Sequence, residues 1–353
     1  MKGLILCAGK GTRMRPVTYA VPKMLIPVAN RPVIHYAIDA LKGAGARRIG
    51  LVVSENRREL EPALGNGAEF GVKFEYIMQQ EQKGIAHAVL CAEDFIGGDD
   101  FILYLGDNLI GESLKGLASE FRKSRPAAAI TLTPVPEPRH FGVAVVKGGR
   151  IVSIEEKPKK PKSNLAVCGI YVFSSRVFEA ARRIKPSRRG EYEITDTIGE
   201  MVRMGLKVTP HVLRGWWRDT GQKSDMLEAN QAVLDGVRRL VRGKIDAASR
   251  IEGRVIIEEG AVIKRSVVRG PAIIGKGARI CGSRIGPYSS IGDGSEIENS
   301  EVENSILMNG VRISNAPRLI ESSLIGNNAV ITGAARTGVL SVTLSDRCNV
   351  EIG

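Results

Sequence analysis

Over residues 1 to about 240, short β-branched runs alternate with amphipathic stretches. Gly3 to Leu6, Ile49 to Val53, Phe74 to Ile77, Phe101 to Leu105 and Ile130 to Thr133 read as strands. Ile34 to Leu41 and Ala86 to Ala92 read as helices between them, and a further helix is expected over Ser224 to Leu240. That order predicts an α/β fold, a Rossmann-like, mostly parallel sheet flanked by helices.

The texture changes near residue 250, where isoleucine and valine runs are broken by glycine. Ile257, Ile274 and Ile291 recur every 17 residues, and so do Ile263, Ile280 and Ile297, and Val268, Ile285 and Val302. Each turn divides into three near-equal sides with one aliphatic residue pointing inward on each. This is the hexapeptide-repeat pattern of a left-handed parallel β-helix, whose coils bury their aliphatic ladders on one another. The ladder is expected to continue through Met308 and Ile325 and to fade near Val342. Two domains follow, 1–242 and 243–353, with the join between Gly243 and Arg250.

Composition adds exclusions. With 43% apolar and 25% charged residues among 353, the chain has the make-up of an ordinary globular protein. It shows neither an apolar stretch of membrane-spanning length nor the order of a signal peptide. Five scattered cysteines point to a reducing cytoplasm and to no zinc site. The net charge of +13 suits phosphate-bearing partners. Nucleic acid is not favoured, because aromatics are only 5% and no basic run is interleaved with them for base stacking. The clusters Lys157 to Lys162 and Arg182 to Arg189 read as solvated surface, with selected members at a small-molecule phosphate.

The first strand breaks into Cys7-Ala8-Gly9-Lys10-Gly11-Thr12-Arg13. In an open α/β sheet this is where phosphate is held, with glycines letting backbone N–H groups approach an anion. The spacing is neither a Walker P-loop nor a dinucleotide fingerprint, since Gly9 and Gly11 are two apart and Met14 stands where a third glycine belongs. Glycine spacing alone equally fits a plain strand-to-helix corner. Lys23, between Pro22 and Pro27, is a phosphate partner or a surface lysine. Asp107, after Gly106 at a strand end, is a Mg²⁺ ligand or the start of an Asx-turn, and Asp219 in Trp217-Arg218-Asp219-Thr220-Gly221 is a second metal candidate.

In this order the motifs resemble those of the sugar-phosphate nucleotidyltransferase family, and most closely its long, β-helix-bearing thymidylyltransferase branch. The matching segments are Gly9, Gly11, Thr12, Arg13 and Pro16; Pro22-Lys23 and Pro27; Gln79 with Gly84-Ile85-Ala86; and Gly106-Asp107-Asn108. Phe141-Gly142-Val143, Glu156-Lys157-Pro158, Gly169-Ile170-Tyr171, Glu193-Ile194-Thr195-Asp196 and Trp217-Arg218-Asp219-Thr220-Gly221 follow.

The resemblance implies transfer of a nucleotidyl group from dTTP to glucose 1-phosphate, with release of pyrophosphate. It assigns Ala8, Gly9, Gly11, Thr12 and Arg13 to the nucleotide phosphates, Gln79 and Gly84 to the base, and Asp107 and Asp219 to an essential Mg²⁺. Lys157 would meet the sugar phosphate, with Gly142, Glu156, Gly169, Tyr171 and Glu193 around the sugar. Arg13, Lys23, Asp107, Lys157 and Asp219 form the implied catalytic set. The attacking phosphate is already an anion, so no protein nucleophile is required and catalysis is positioning plus charge neutralisation.

The alternatives are a UTP-using uridylyltransferase, a bifunctional nucleotidyl/acetyltransferase and a non-catalytic regulatory subunit. All four histidines, His35, His87, His140 and His211, precede the repeats, which speaks against a histidine base for acetyl transfer there. The intact implied catalytic set speaks against a silent subunit. A β-helix end must be capped or paired, so homo-oligomerisation through that domain is expected. No membrane partner is expected.

Overall fold

The structure is a computed structural model of the chain and describes residues 1–316, 318–333 and 339–352. Two compact units emerge: Met1–Gly9 with Ile34–Trp217, and Lys10–Val33 with Arg218–Gly353.

The first unit is built on a nine-stranded sheet. Strands β1 (Lys2–Leu6), β2 (Arg48–Val53), β3 (Lys73–Met78) and β4 (Phe101–Leu105) run parallel in the order β3-β2-β1-β4. Helices α1 (Val33–Gly43) and α2 (Ile85–Cys91) lie on the crossovers. These four hold four of the five expected strands; β1, β2 and β4 show the near-continuous burial of strands covered on both faces, whereas β3, at the end of the order, is mostly exposed. Gly3 of β1 is demanded by packing, since a Cβ there would lie 2.9 Å from Leu41 Cδ1 of α1.

A helix over Lys115–Ser124 still separates β4 from the next long strand, and after that the alternation of strand and helix lapses. β5 (Ala128–Pro134), β6 (Gly142–Lys147), β7 (Arg150–Glu156) and β8 (Leu165–Phe173) follow one another without crossover helices. Short loops permit only antiparallel pairing between successive strands. Accordingly β8 pairs antiparallel with β4, β5 and β6, and β7 with β6. Helix α3 (Ile194–Arg203) then leads to β9 (Val208–Val212), which lies parallel to β5. The core beneath includes Phe101, Phe173 and Phe178, whose rings pack about 6 Å apart.

In the second unit, α4 (Lys223–Leu234) precedes three sheets of short parallel strands, the arrangement of a left-handed β-helix. All three sequence ladders are in register. Ile257, Ile274 and Ile291 stack, as do Ile263, Ile280 and Ile297, and Val268, Ile285 and Val302. These nine side chains are at most 1% exposed.

Two expectations need correction. Met308 is not on the ladder: Leu307 aligns with Ile291 and with Ile325, because the corner after Val302 is one residue shorter than the equivalent corners before it. The helix expected to reach Leu240 ends at Leu234. Asp235 there accepts hydrogen bonds from Arg254 and from the Tyr288 hydroxyl, and Leu240–Val241 becomes the first rung, paired with Ile256 and Ile257. Among the described residues no helix is long and apolar enough to cross a membrane.

Candidate active site

In the first unit the chain leaves β1 with its carbonyls held by side chains. Cys7 N–H still donates to Val52 O at 2.8 Å, in register with β2. The Cys7 carbonyl then accepts from Asn56 Nδ2 at 2.7 Å, and the Ala8 carbonyl from Ser54 Oγ at 3.1 Å and from Gln82 Nε2. A Cβ on Gly9 would meet nothing within 4 Å, so the space over this residue is open. Burial, together with the charge of Asp107, pushes the Cys7 thiol far up, which removes it as a nucleophile.

Asp107 stands half-buried just past β4, where Gly106 N–H is tied to Leu6 O. Its Oδ1 accepts from Asn108 Nδ2 at 2.9 Å, and Asn108 Oδ1 accepts from the indole Nε1 of Trp217 at 2.6 Å. Gly169 packs into this corner. Its φ is +69°, and a Cβ would lie 2.9 Å from Leu105 Cδ1 and 3.1 Å from Asn108 Cγ. Upstream of Trp217, Glu112 accepts the Arg214 N–H at 2.7 Å and faces His211 Nε2 at 3.2 Å, holding the loop that delivers the tryptophans.

A second cluster gathers around the strand ends of β6 and β7. Glu156 Oε2 accepts from Thr195 Oγ1 at 3.3 Å, and a Cβ on Gly142 would strike Thr195 Cγ2 at 2.7 Å. Glu193, only 4% exposed, is gripped by Arg189 at 3.0 and 3.1 Å and by the Ser187 hydroxyl at 2.8 Å. Burial first, and then the Glu193 charge, raise the Glu156 carboxyl above its ordinary range. Arg189, 3.9 Å from Glu156, pulls the other way. Lys157 is exposed, with a left-handed φ of 43°, and its N–H donates to Phe141 O. Tyr171 lies in the core at 2% exposure, stacked on Phe173.

The segment assigned to the base is locked to the carboxylate loop. Gln79 Nε2 donates to Gly84 O at 3.3 Å and to His87 Nδ1 at 3.1 Å. Tyr192 N–H donates to Lys83 O, and Ala86 N–H to Tyr192 O, so residues 83–86 and residue 192 form one piece.

In the second unit, Gly11 has φ +61°, and a Cβ would lie 2.9 Å from Thr18 Cγ2 and 3.3 Å from Lys23 Cβ. Lys23 is 7% exposed in a 3₁₀ turn, while Thr12 and Arg13 are exposed. The Arg13 guanidinium lies against Gly221, two residues after the half-buried Asp219: a Cβ on that glycine would be 3.1 Å from either terminal nitrogen.

Glycine-bounded turns, phosphate-suited cations and carboxylates without a nucleophile are the equipment of group transfer between phosphates. The family description "Nucleotidyl transferase" matches residues 2–236. The chain belongs to this family. The nucleotidyltransferase is 45% identical to a glucose-1-phosphate thymidylyltransferase of Streptomyces griseus, over 95% of this chain and 94% of that one. It is 44% identical to the enzyme of the same name from Streptomyces antibioticus, over 100% and 99%. A UDP-glucose pyrophosphorylase solved with UDP-glucose superposes with a TM-score of 0.60 at 28% identity, covering 66% of this chain and 98% of that one.

Among the described residues no three His, Cys, Asp or Glu side chains are grouped to hold a metal. Asp107 and Asp219 nonetheless present hard carboxylate oxygens, the donors Mg²⁺ takes alongside substrate phosphates and water. Sequence reading missed Arg189 and Ser187 at Glu193, and Ser54, Asn56 and Gln82 at the first turn. Arg189→Gln removes the charge that counters the raised Glu156, so a neutral Glu156 persists to higher pH. The acid-side rise in KM for the sugar 1-phosphate is expected to begin at higher pH in the variant than in the unaltered enzyme, measured as KM against pH for both.

Proposed function

We propose that the nucleotidyltransferase uses dTTP and glucose 1-phosphate. A phosphate oxygen of the sugar 1-phosphate attacks the α-phosphorus, the bond from that phosphorus to the β-phosphate bridging oxygen breaks, and pyrophosphate leaves with the electron pair. The observation that carries this reading is the lock between residues 83–86 and Tyr192, which makes Gln79 and the Glu156–Glu193 group parts of one rigid frame. A base read at one end and a sugar held at the other fit such a frame.

In this reading the amides from Ala8 to Thr12 meet the nucleotide phosphates, their neighbouring carbonyls being already engaged at Cys7 and Ala8. Arg13 and Lys23 neutralise charge that grows as pyrophosphate departs. Gln79 and Gly84 meet the pyrimidine edge, Lys157 the sugar phosphate, and Gly142, Glu156 and Glu193 the sugar hydroxyls. Gly169 backs the Asp107–Asn108 corner, and Tyr171 lies near Glu156. Asp107 and Asp219 would hold Mg²⁺, which supplies charge neutralisation at the phosphates when bound.

UTP is the second reading, supported by the likeness to the UDP-glucose pyrophosphorylase. Pyrophosphate release measured over a grid of nucleoside triphosphates and sugar 1-phosphates tests both. The highest kcat/KM is expected for dTTP with glucose 1-phosphate; a preference for UTP replaces the first reading with the second, and no release with any pair ends both. The domain limits 1–242 and 243–353 and self-association through the β-helix remain part of the proposal, the latter checked by light scattering.

A further inference from the structure

Asn230 of α4 has no exposed surface, and both ends of its amide are hydrogen-bonded. Its Oδ1 accepts the Ala29 N–H at 2.8 Å and the Ser290 hydroxyl at 2.7 Å, and its Nδ2 donates to the Tyr288 carbonyl at 2.9 Å. Next to it, Asn30 Nδ2 donates to the Ile291 carbonyl at 2.6 Å. Ala29 and Asn30 are the tip of a small hairpin in which Pro27 pairs with Pro32 and Val28 with Arg31. Both tip residues are left-handed, with φ of 48° and 59°. For alanine that conformation is unfavourable and persists only where surroundings hold it.

The β-helix carries the matching half of the device. On the face that receives α4, the outward position is Ile273 in one coil and Ile306 two coils on, and Ser290 between them is the polar exception. All three are at most 8% exposed. A purely apolar contact would bury α4 without these amides, since a buried polar group left unpartnered is costly. The hydrogen bonds of this cluster instead fix one arrangement of hairpin, helix and coil, with Asn30 held through its Nδ2 while its Oδ1 is buried without a hydrogen-bond partner.

The hairpin begins where the Lys23 turn ends. Ile26 N–H donates to Lys23 O at 3.2 Å, and Val33 N–H closes the hairpin base onto Ile26 O at 3.1 Å. Lys23 in turn packs against Gly11. We infer that Asn30 and Asn230 are positioning residues, through which a coil of the β-helix holds Lys23 and the Gly11 turn in place for the nucleoside triphosphate. The inference rests on the reading of Lys23 and Gly11 as nucleotide-binding.

Asn30→Gly tests it cleanly, because glycine keeps the left-handed backbone and only the amide is lost. The comparator is Gln231→Ala, which removes the 2.7 Å bond from Gln231 to Asn304 between the same helix and the β-helix but touches no hairpin residue. In the full-length protein, Asn30→Gly is expected to raise KM for the nucleoside triphosphate, and Kd measured without sugar 1-phosphate, by about fivefold. KM for the sugar 1-phosphate stays near its original value while kcat falls with the displaced Lys23, and Gln231→Ala leaves nucleotide KM and kcat unchanged. Unchanged nucleotide KM in Asn30→Gly, or an equal rise in Gln231→Ala, overturns the inference. Lys23→Ala separates the two levels: if it leaves nucleotide binding intact, the nucleotide reading fails, whereas a loss there with a silent Asn30→Gly refutes the positioning role alone.

Discussion

Asp107→Asn is expected to cut pyrophosphate release at saturating substrate by about a thousandfold or more, the scale of losing several kcal/mol of charge stabilisation. The fold should not suffer. Asparagine keeps an oxygen to accept from Asn108 Nδ2, so Asn108 remains oriented toward the Trp217 indole. The lost charge is one that already presses on its surroundings, since Asp107 adds to the upward push that burial gives both Cys7 and Tyr104. Both groups are neutral with or without that charge, so the thermal midpoint should stay level. Nucleotide binding without divalent cation should match that of the unaltered enzyme, while the activating response to added Mg²⁺ disappears. Turnover within tenfold of normal would falsify the assignment of Asp107 to the metal.

The parts of this molecule that could be read from the chain are those in which one residue determines its own neighbour. The β-helix ladders are of that kind: each coil repeats the last, so Ile263, Ile280 and Ile297 stack as soon as the period is known. Met308 does not fit because one short corner shifts that coil by a residue, a shift the next coil makes up, so that Ile325 is again on the ladder. Asp107 was legible from Gly106 and the strand before it, but its partner Trp217 lies 109 residues away in the contact with Asn108. Arg189 looked like one more surface cation. Its grip on Glu193 comes from the closure of the 187–193 loop, and nothing in local composition separates it from Arg182 or Arg183, which pair with Glu93 and Glu179 on the surface. Tyr171 and Gly169 show the converse: motif membership put them at the sugar, whereas packing puts one in the core and the other behind Asn108.

Gly84→Ala should disable both halves of the binding frame at once. Gly84 has φ +106°, and a Cβ would stand 2.6 Å from the Tyr192 carbonyl oxygen and 2.8 Å from its nitrogen. These are backbone atoms that cannot retreat alone, because the same oxygen accepts from Ala86 N–H and the same nitrogen donates to Lys83 O. Backbone strain and overpacking together place the cost at about 3 kcal/mol. For a unit of this size that lowers the thermal midpoint by roughly 9 °C. Any relief must move Gly84 away from Gln79, or residue 192 and with it Glu193, so KM should rise for the nucleoside triphosphate and for the sugar 1-phosphate together. Gly142→Ala provides the contrast: its Cβ would crowd only Thr195 Cγ2 and Glu156 Oε2, and KM for the sugar 1-phosphate alone should rise. If Gly84→Ala changed one substrate's KM and spared the other, the two segments would be independent sites that happen to touch. A rise in both, beside a single rise in Gly142→Ala, is what a shared frame requires, and it ties the base-reading and sugar-holding roles to one backbone contact.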